Sequence, residues 1–335
     1  MILVTGGTGL VGSHLLYNLT KNKDKVRAIY RSESTLHKVK SVFKLYENNI
    51  DNQFKKIEWI KADITDITSL KAVFTNDITH VYHCAALVTF NPKKYQLMRK
   101  INIEGTANIV NFCIDNNIQK LCHVSSIATL PNNVKNNSIS EKNEWSNNID
   151  NCYAITKHGA EMEVWRGTQE GVDMVMVNPG VILGSGFFET GSGKLFSKIN
   201  NSFPFYTDGV TGFVGVKDVV LSMITLMESN IKNERFIIIS ENKSFKDVFF
   251  SIADHLHKKR PSIKIGKIGL ECFWRLENVF SKIFGKEPLI TKSSARASYN
   301  KEFFSNQKIK DALNFNFTAI EQVIITTCKE YLKNS

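Results

Sequence analysis

The first sixteen residues leave the chain few folds to choose from. Residues 1–4 form a short apolar run, the length of a buried strand. Glycines follow at 6, 7, 9 and 12, and from Leu10 the apolar residues recur at helical spacing, at 10, 11, 15, 16 and 19. Strand, glycine turn and helix therefore succeed one another directly. Glycine lets the backbone turn tightly and approach a pyrophosphate, and a helix N-terminus offers free N–H groups and a partial positive charge to its oxygens. An isolated glycine turn says little, but one set between a strand and a helix has the context of a dinucleotide-binding loop.

The rest of the first half repeats the alternation. Residues 25–30, 57–61, 80–83, 120–124 and 173–178 read as strands. Residues 34–49, 94–116 and 153–168 read as helices. The pattern predicts an α/β fold, a doubly wound parallel sheet with helices on both faces. Beyond Gly180 the regularity breaks. Residues 181–193, with glycines at 184, 186, 191 and 193, read as a flexible loop. Residues 213–218 lead into an apolar helix ending near 227, 236–240 offer a seventh strand, and the remainder reads as mostly helical. The expected division is a dinucleotide-binding domain at 1–180 and a smaller, mostly helical substrate lobe at 181–335, with 214–240 returning to the first domain. Phe187, Phe188, Phe203, Phe205, Tyr206 and Phe213 suit either an apolar pocket or core. Residues 270–286 are amphipathic, with Phe273, Leu276, Phe280 and Ile283 on one face. That face either packs within the substrate lobe or, with its basic flanks, rests on an anionic membrane.

Composition narrows the function classes. The 335 residues are 42% hydrophobic and 22% charged, as in soluble globular chains. No apolar run approaches the roughly 18 residues of a membrane span, and a strand starting at Met1 leaves no room for a signal peptide. The six cysteines include no C-x-x-C pair and read as core residues in a reducing cytoplasm, not as a disulfide frame or a metal site. The net charge is +11, but the lysines are scattered and no basic run interleaves with aromatics in the N-terminal half, which argues against nucleic acid as partner. The exception is residues 255–300, with ten Lys or Arg against three Glu.

Several residues carry candidate chemistry. At the tip of the second strand an acid pairs with the ribose 2′-hydroxyl of NAD, whereas an arginine suits the 2′-phosphate of NADP. Here the acid position holds Tyr30 and Arg31 follows, which favours NADP(H) and leaves NAD(H) open. Asp63, between the third strand and the next helix, either caps that helix or touches the adenine. Small residues at 84–86 let a cofactor lie close to the end of the fourth strand, where His83 reads as a core histidine. Tyr153 and Lys157 share a helix face, four residues apart. A tyrosine ionises near ~10, too high for neutral pH unless an ammonium favours its phenolate. The pair can then trade a proton with a substrate oxygen. Ser126 ends the fifth strand, at the edge where open α/β sheets bind ligands.

Glycine loop, strand-end serine and Y-x-x-x-K, in that order, resemble the extended short-chain dehydrogenases/reductases, also called the NAD-dependent epimerase/dehydratase family. Residues 5–12 look like its cofactor loop, which implies Gly6, Thr8, Gly9, Leu10, Val11 and Gly12 as contacts. Asp63 and Ile64 resemble its adenine site, Ala85 and Ala86 its fourth-strand end, and Pro179 its sixth-strand end. Asn102, with Gly105 and Thr106, resembles its helix motif and joins the catalytic candidates. The resemblance implies Tyr153 as acid/base, Ser126 as the residue orienting the substrate oxygen, and Lys157 as tuning Tyr153 and bonding the nicotinamide ribose. Residues 26–31 and 177–180 look like the dihydroflavonol-reductase and hydroxysteroid-dehydrogenase branch. The expectation is NADPH-dependent reduction of a ketone or aldehyde on a small, partly apolar substrate. A sugar-nucleotide epimerase/dehydratase and a non-catalytic NADP sensor are the alternatives. The resemblance also implies a homodimer formed through the Asn102 and Tyr153 helices, and no metal.

Overall fold

Strands whose residues show no polar/apolar alternation need cover on both faces, and the computed structural model supplies it. It describes residues 1–22, 25–130, 138–146, 149, 151–283 and 290–333, with the backbone alone at 279, 280, 282 and 283. The strands are β1 (Ile2–Thr5), β2 (Val26–Tyr30), β3 (Ile57–Lys61), β4 (His80–His83), β5 (Lys120–Val124), β6 (Asp173–Pro179), β7 (Val181–Leu183), β8 (Phe205–Tyr206), β9 (Val210–Gly215), β10 (Glu234–Ile238), β11 (Glu241–Ser244) and β12 (Ile263–Lys264). Seven of them form one parallel sheet in the order β10-β6-β5-β4-β1-β2-β3. On one face Leu15, Leu16, Val219 and Met223, from the helices Leu10–Asn22 and Val216–Glu228, pack against Val4, Val175 and Phe236. On the other, Ile109, Val110 and Val164, from the helices Gly105–Asp115 and Cys152–Gln169, pack against Leu3, Leu121 and Met174.

Two expected elements differ. Residues 94–116 are not one α-helix. An α-turn at Tyr95–Met98 passes into a π-helical stretch at Arg99–Glu104 and then into the helix Gly105–Asp115. Such widened turns occur often at functional sites, and this one carries the buried Asn102. Residues 181–193 are not a plain loop either. Their apolar start forms β7, which pairs in parallel with β9, and Gly191–Gly193 is a short 3₁₀ turn. The glycines hid a strand whose partner lies about thirty residues on.

β7, β9 and β11 make a three-stranded sheet, and β8 with β12 a two-stranded one. With the helices Lys194–Asn200, Phe245–His255 and Ile320–Lys333 they enclose a second core of Leu183, Phe196, Phe213, Ile252 and Ile324, against which Phe188 and Phe203 pack. Three of the aromatic residues open to a pocket or a core reading therefore belong to a core. The amphipathic segment forms the helix Lys267–Ile283. Leu270 is buried, but Phe273 and Leu276, expected on its packing face, are exposed; the side chains of Phe280 and Ile283 lie outside the described residues. No helix among the described residues is long and apolar enough to cross a membrane.

Phe213 has no exposed surface and joins β9 to this second core. Phe213→Ala is expected to lower unfolding stability by about 3–5 kcal/mol, measured by chemical denaturation. A loss well under 1 kcal/mol would show that the lobe packs differently.

Candidate active site

The glycine loop is fixed by how closely its backbone folds on itself. Gly6 has φ +67°, and a Cβ there would lie 2.5 Å from the Ala85 nitrogen; a Cβ on Gly12 would lie 2.2 Å from the Gly6 oxygen. The loop thus rests on the end of β4, with Gly9 N–H donating to Gly6 O at 3.0 Å and Ser13 N–H to Gly9 O at 2.9 Å. Gly9 is exposed; Thr8, Leu10 and Val11 are half-buried around it. This turn, closed to a Cβ at Gly6 and Gly12, sits where the strand order turns back on itself beside β1, the place where such sheets bind dinucleotides.

The other candidates share this sheet edge. Arg31 is exposed just past β2. Asp63 and Ile64 follow β3, but Asp63 does not cap the next helix. Its Oδ1 accepts from Thr65 N–H and Oγ1, while Asp66 caps the helix Ile67–Lys71 by accepting from Thr68 N–H. Ala85 and Ala86 are half-buried beyond β4, and Pro179 is buried at the end of β6, opposite Ile238.

A chain of hydrogen bonds links the glycine loop to Asn102. Ala85 N–H donates to Thr5 Oγ1 at 3.4 Å, and the Thr5 hydroxyl lies 2.6 Å from His83 Nδ1. His83 Nε2 lies 2.9 Å from Thr106 Oγ1, whose proton goes to Asn102 O at 2.6 Å. Because Thr106 gives its proton to Asn102 O, it accepts from His83 Nε2, which carries the ring proton, and Nδ1 accepts from the Thr5 hydroxyl. Burial pushes its pKa down to about 3, so it stays neutral, a satisfied core histidine. The Asn102 side chain clamps the segment after β4. Oδ1 accepts from Leu87 N–H at 2.7 Å, and Nδ2 donates to Leu87 O and to Thr156 Oγ1, both at 3.1 Å.

Asn151 caps the helix Cys152–Gln169, accepting from the N–H groups of Tyr153 and Ala154, and so fixes Tyr153 in its first turn. Burial raises the Tyr153 pKa, and the Ser126 side chain pulls it partly back. Ser126 itself caps a short turn after β5, accepting from Ala128 N–H at 3.2 Å. Phe90, which sequence reasoning did not single out, packs edge-on against Tyr153 at 5.6 Å. Lys157, four residues on, is buried. Its Nζ donates to Val124 O at 2.8 Å and lies 3.5 Å from His123 Nε2. Ser126 therefore acts on the Tyr153 phenol, and Lys157 is held through the backbone that leads into Ser126.

Sequence reasoning also missed Glu161, one further turn along the same helix face and fully buried. One carboxylate oxygen accepts from Ser125 Oγ at 2.5 Å, Asn178 Nδ2 at 2.6 Å and Thr129 Oγ1 at 2.7 Å; the other meets Arg235 Nη1 at 3.3 Å. Asn178 Nδ2 also donates to Ser126 O at 3.1 Å. Spacing from Tyr153 and Lys157 put Glu161 on the right face; nothing local announced its partners. Among the described residues no cluster of His, Cys, Asp or Glu is placed to hold a metal ion.

Lys157 yields a stability prediction. Burial pushes its ammonium down to about 8 from an ordinary 10.5, with Glu161 opposing the fall. A folded pKa below the unfolded one means that the unfolded chain holds the proton more readily. Lys157 therefore lowers stability, on the order of 3 kcal/mol, below about pH 8, and the penalty fades as pH rises to 10.5. Lys157→Met is expected to melt at a higher temperature than the parent at neutral pH, with the advantage shrinking as pH rises through that window. A variant that melts lower at neutral pH contradicts the burial penalty.

Comparison with known proteins places the chain in a family. The profile of the NAD dependent epimerase/dehydratase family matches residues 2–238. Cinnamoyl-CoA reductase 1 of Petunia hybrida is 25% identical over 342 residues, covering 98% of this chain and 91% of that protein. A putative dihydroflavonol 4-reductase of Synechocystis is 22% identical, covering 96% and 91%. Among solved structures, gox2253 superposes with a TM-score of 0.82 at 23% identity, covering 100% of this chain and 98% of that one. A UDP-glucose 4-epimerase of Thermotoga maritima, solved with UDP-glucose, gives 0.78 at 19% identity, covering 99% of both. Those two likenesses speak for the fold alone. The chain belongs to the NAD dependent epimerase/dehydratase family, a family of NAD(P)-dependent enzymes.

Proposed function

We propose that the protein reduces a ketone or aldehyde on a small, partly apolar substrate, with NADPH as hydride donor and Tyr153 as proton donor. The observation that carries this reading is the state of Tyr153. Its phenol is buried at the sheet edge that bears the glycine loop, with burial raising its pKa so that it is held protonated, and Ser126 is the neighbour that acts on it. A protonated acid is what a developing alkoxide needs. The bound nicotinamide supplies the hydride. Ser126 orients the carbonyl oxygen, and Tyr153 Oη gives it a proton. Lys157, with its pKa at about 8, remains an ammonium at neutral pH and favours the phenolate left behind. Asn102 acts as a positioning residue, through Leu87 and Thr156.

Gly6, Thr8, Gly9, Leu10, Val11 and Gly12 are assigned to the pyrophosphate, and Asp63 and Ile64 to the adenine. Ala85, Ala86 and Pro179 wall the nicotinamide side, where Lys157 also reaches the ribose. The relatives named as cinnamoyl-CoA and dihydroflavonol reductases support carbonyl reduction. The second reading, an epimerase or dehydratase that keeps its cofactor, draws on structural neighbours such as the UDP-glucose 4-epimerase. We assign the protein to the cytoplasm, no disulfide joining its six cysteines among the described residues. We also assign it a homodimer formed beside the helices Gly105–Asp115 and Cys152–Gln169, where Leu97 and Met162 are exposed.

Tyr153→Phe is expected to abolish turnover, by a factor of about 100 or more, while NADPH affinity stays within about twofold of the parent. A variant that keeps most of its rate removes Tyr153 from the chemistry. Arg31→Ala is expected to weaken NADPH binding about tenfold and leave NADH nearly unchanged, since it removes only a charge-assisted bond to the 2′-phosphate. Tighter binding of NADH than NADPH by the parent protein refutes the cofactor preference.

A further inference from the structure

The helix Lys267–Ile283 has its apolar stripe on the wrong side for a core. Ile268, Cys272 and Leu276 lie four residues apart, in line along one face, with Phe273 beside them. Ile268 is 82% exposed, Leu276 57% and Phe273 42%, and Cys272 is exposed as well. The helix is already docked by its other side. Leu270 is buried, and Glu271 meets Tyr299 at 3.3 Å and Arg296 at 4.0 Å on the helix Lys292–Tyr299. The stripe is therefore surplus to the fold.

Charge says what covers it. Residues 255–300 hold ten Lys or Arg against three Glu, so seven of the eleven net positive charges of the chain fall in this one segment. Lys258, Lys259 and Lys267 lead directly into the stripe beside Arg260 and Lys264, which are paired with Asp254 and Asp208, and Ile263, 49% exposed, stands among them. A two-fold pairing of this face with a second copy sets the same patch against itself and brings both basic clusters together. An anionic lipid surface takes the apolar stripe and neutralises the cluster at once. We propose that the helix Lys267–Ile283 docks the protein on anionic membranes, lying in the interface with Ile268, Cys272, Phe273 and Leu276 turned into the lipid.

Flotation of the full-length protein with phosphatidylcholine vesicles, with and without phosphatidylglycerol, tests the proposal. The parent is expected to float with phosphatidylglycerol vesicles at low salt, to release at high salt, and to ignore neutral vesicles. Replacing both Ile268 and Leu276 by serine is expected to weaken the partition by at least about tenfold, because two exposed aliphatic anchors are lost. Ile67→Ser, at an exposed aliphatic residue on the helix Ile67–Lys71, leaves it unchanged. Each variant is first shown to match the parent in circular dichroism and melting temperature. Absence of flotation with anionic vesicles at low salt overturns the proposal. So does equal flotation of the double variant, and so does a double variant that changes only from dimer to monomer in solution, which would make the stripe an interface between copies.

Discussion

A single buried carboxylate holds the candidate site together. Glu161 has no exposed surface, and a charge taken out of water persists only when it is paired and hydrogen-bonded. Its partners come from the end of β5 and the turn after it (Ser125 and Thr129), from β6 (Asn178) and from β10 (Arg235). The requirement to satisfy one anion thus clamps two neighbouring central strands and the outermost one to the helix that carries Tyr153 and Lys157. Arg235 extends the clamp, since its guanidinium also donates to the carbonyls of Glu141 and Asn143. The backbone on which Ser126 rides is therefore set before any substrate arrives, which is what a proton-transfer site needs.

Around that anchor the site gathers titratable groups that burial has moved. His83 and His123 are held neutral, the Lys157 ammonium is weakened and the Tyr153 phenol is strengthened in its protonated form. Burial is the leading cause in all four. At neutral pH only the Lys157 shift lowers stability, since the histidines and Tyr153 are uncharged in the folded and unfolded states alike, and Tyr153 and Lys157 are the two left prepared for chemistry. The offset comes from the two covered faces of the sheet and from the glycine loop folded on the end of β4.

Local patterns were legible in the sequence because their physics is local. The glycines at 6, 9 and 12, the four-residue spacing of Tyr153 and Lys157, and the succession of strand and helix each say what their own segment needs. What escaped depends on partners far along the chain. Arg235 is 74 residues from Glu161, and β7 finds β9 across a glycine-rich stretch that reads as a loop. Asp63 and Asp66 both suit a helix cap on paper, and only geometry selects Asp66. Amphipathicity revealed that the helix Lys267–Ile283 has an apolar face, but not that another face does the packing.

The account rests on hydride leaving the cofactor for good. The most direct measurement is a single turnover with NADPH deuterated at the transferable position and a carbonyl substrate that the enzyme consumes, analysed by mass spectrometry. The prediction is one deuterium in the alcohol product for each NADPH oxidised. Product formed while the cofactor stays reduced and keeps its deuterium would contradict a reductase, and turnover that instead needs the oxidised cofactor and returns it unchanged would assign the site to transient oxidation within an epimerase or dehydratase cycle.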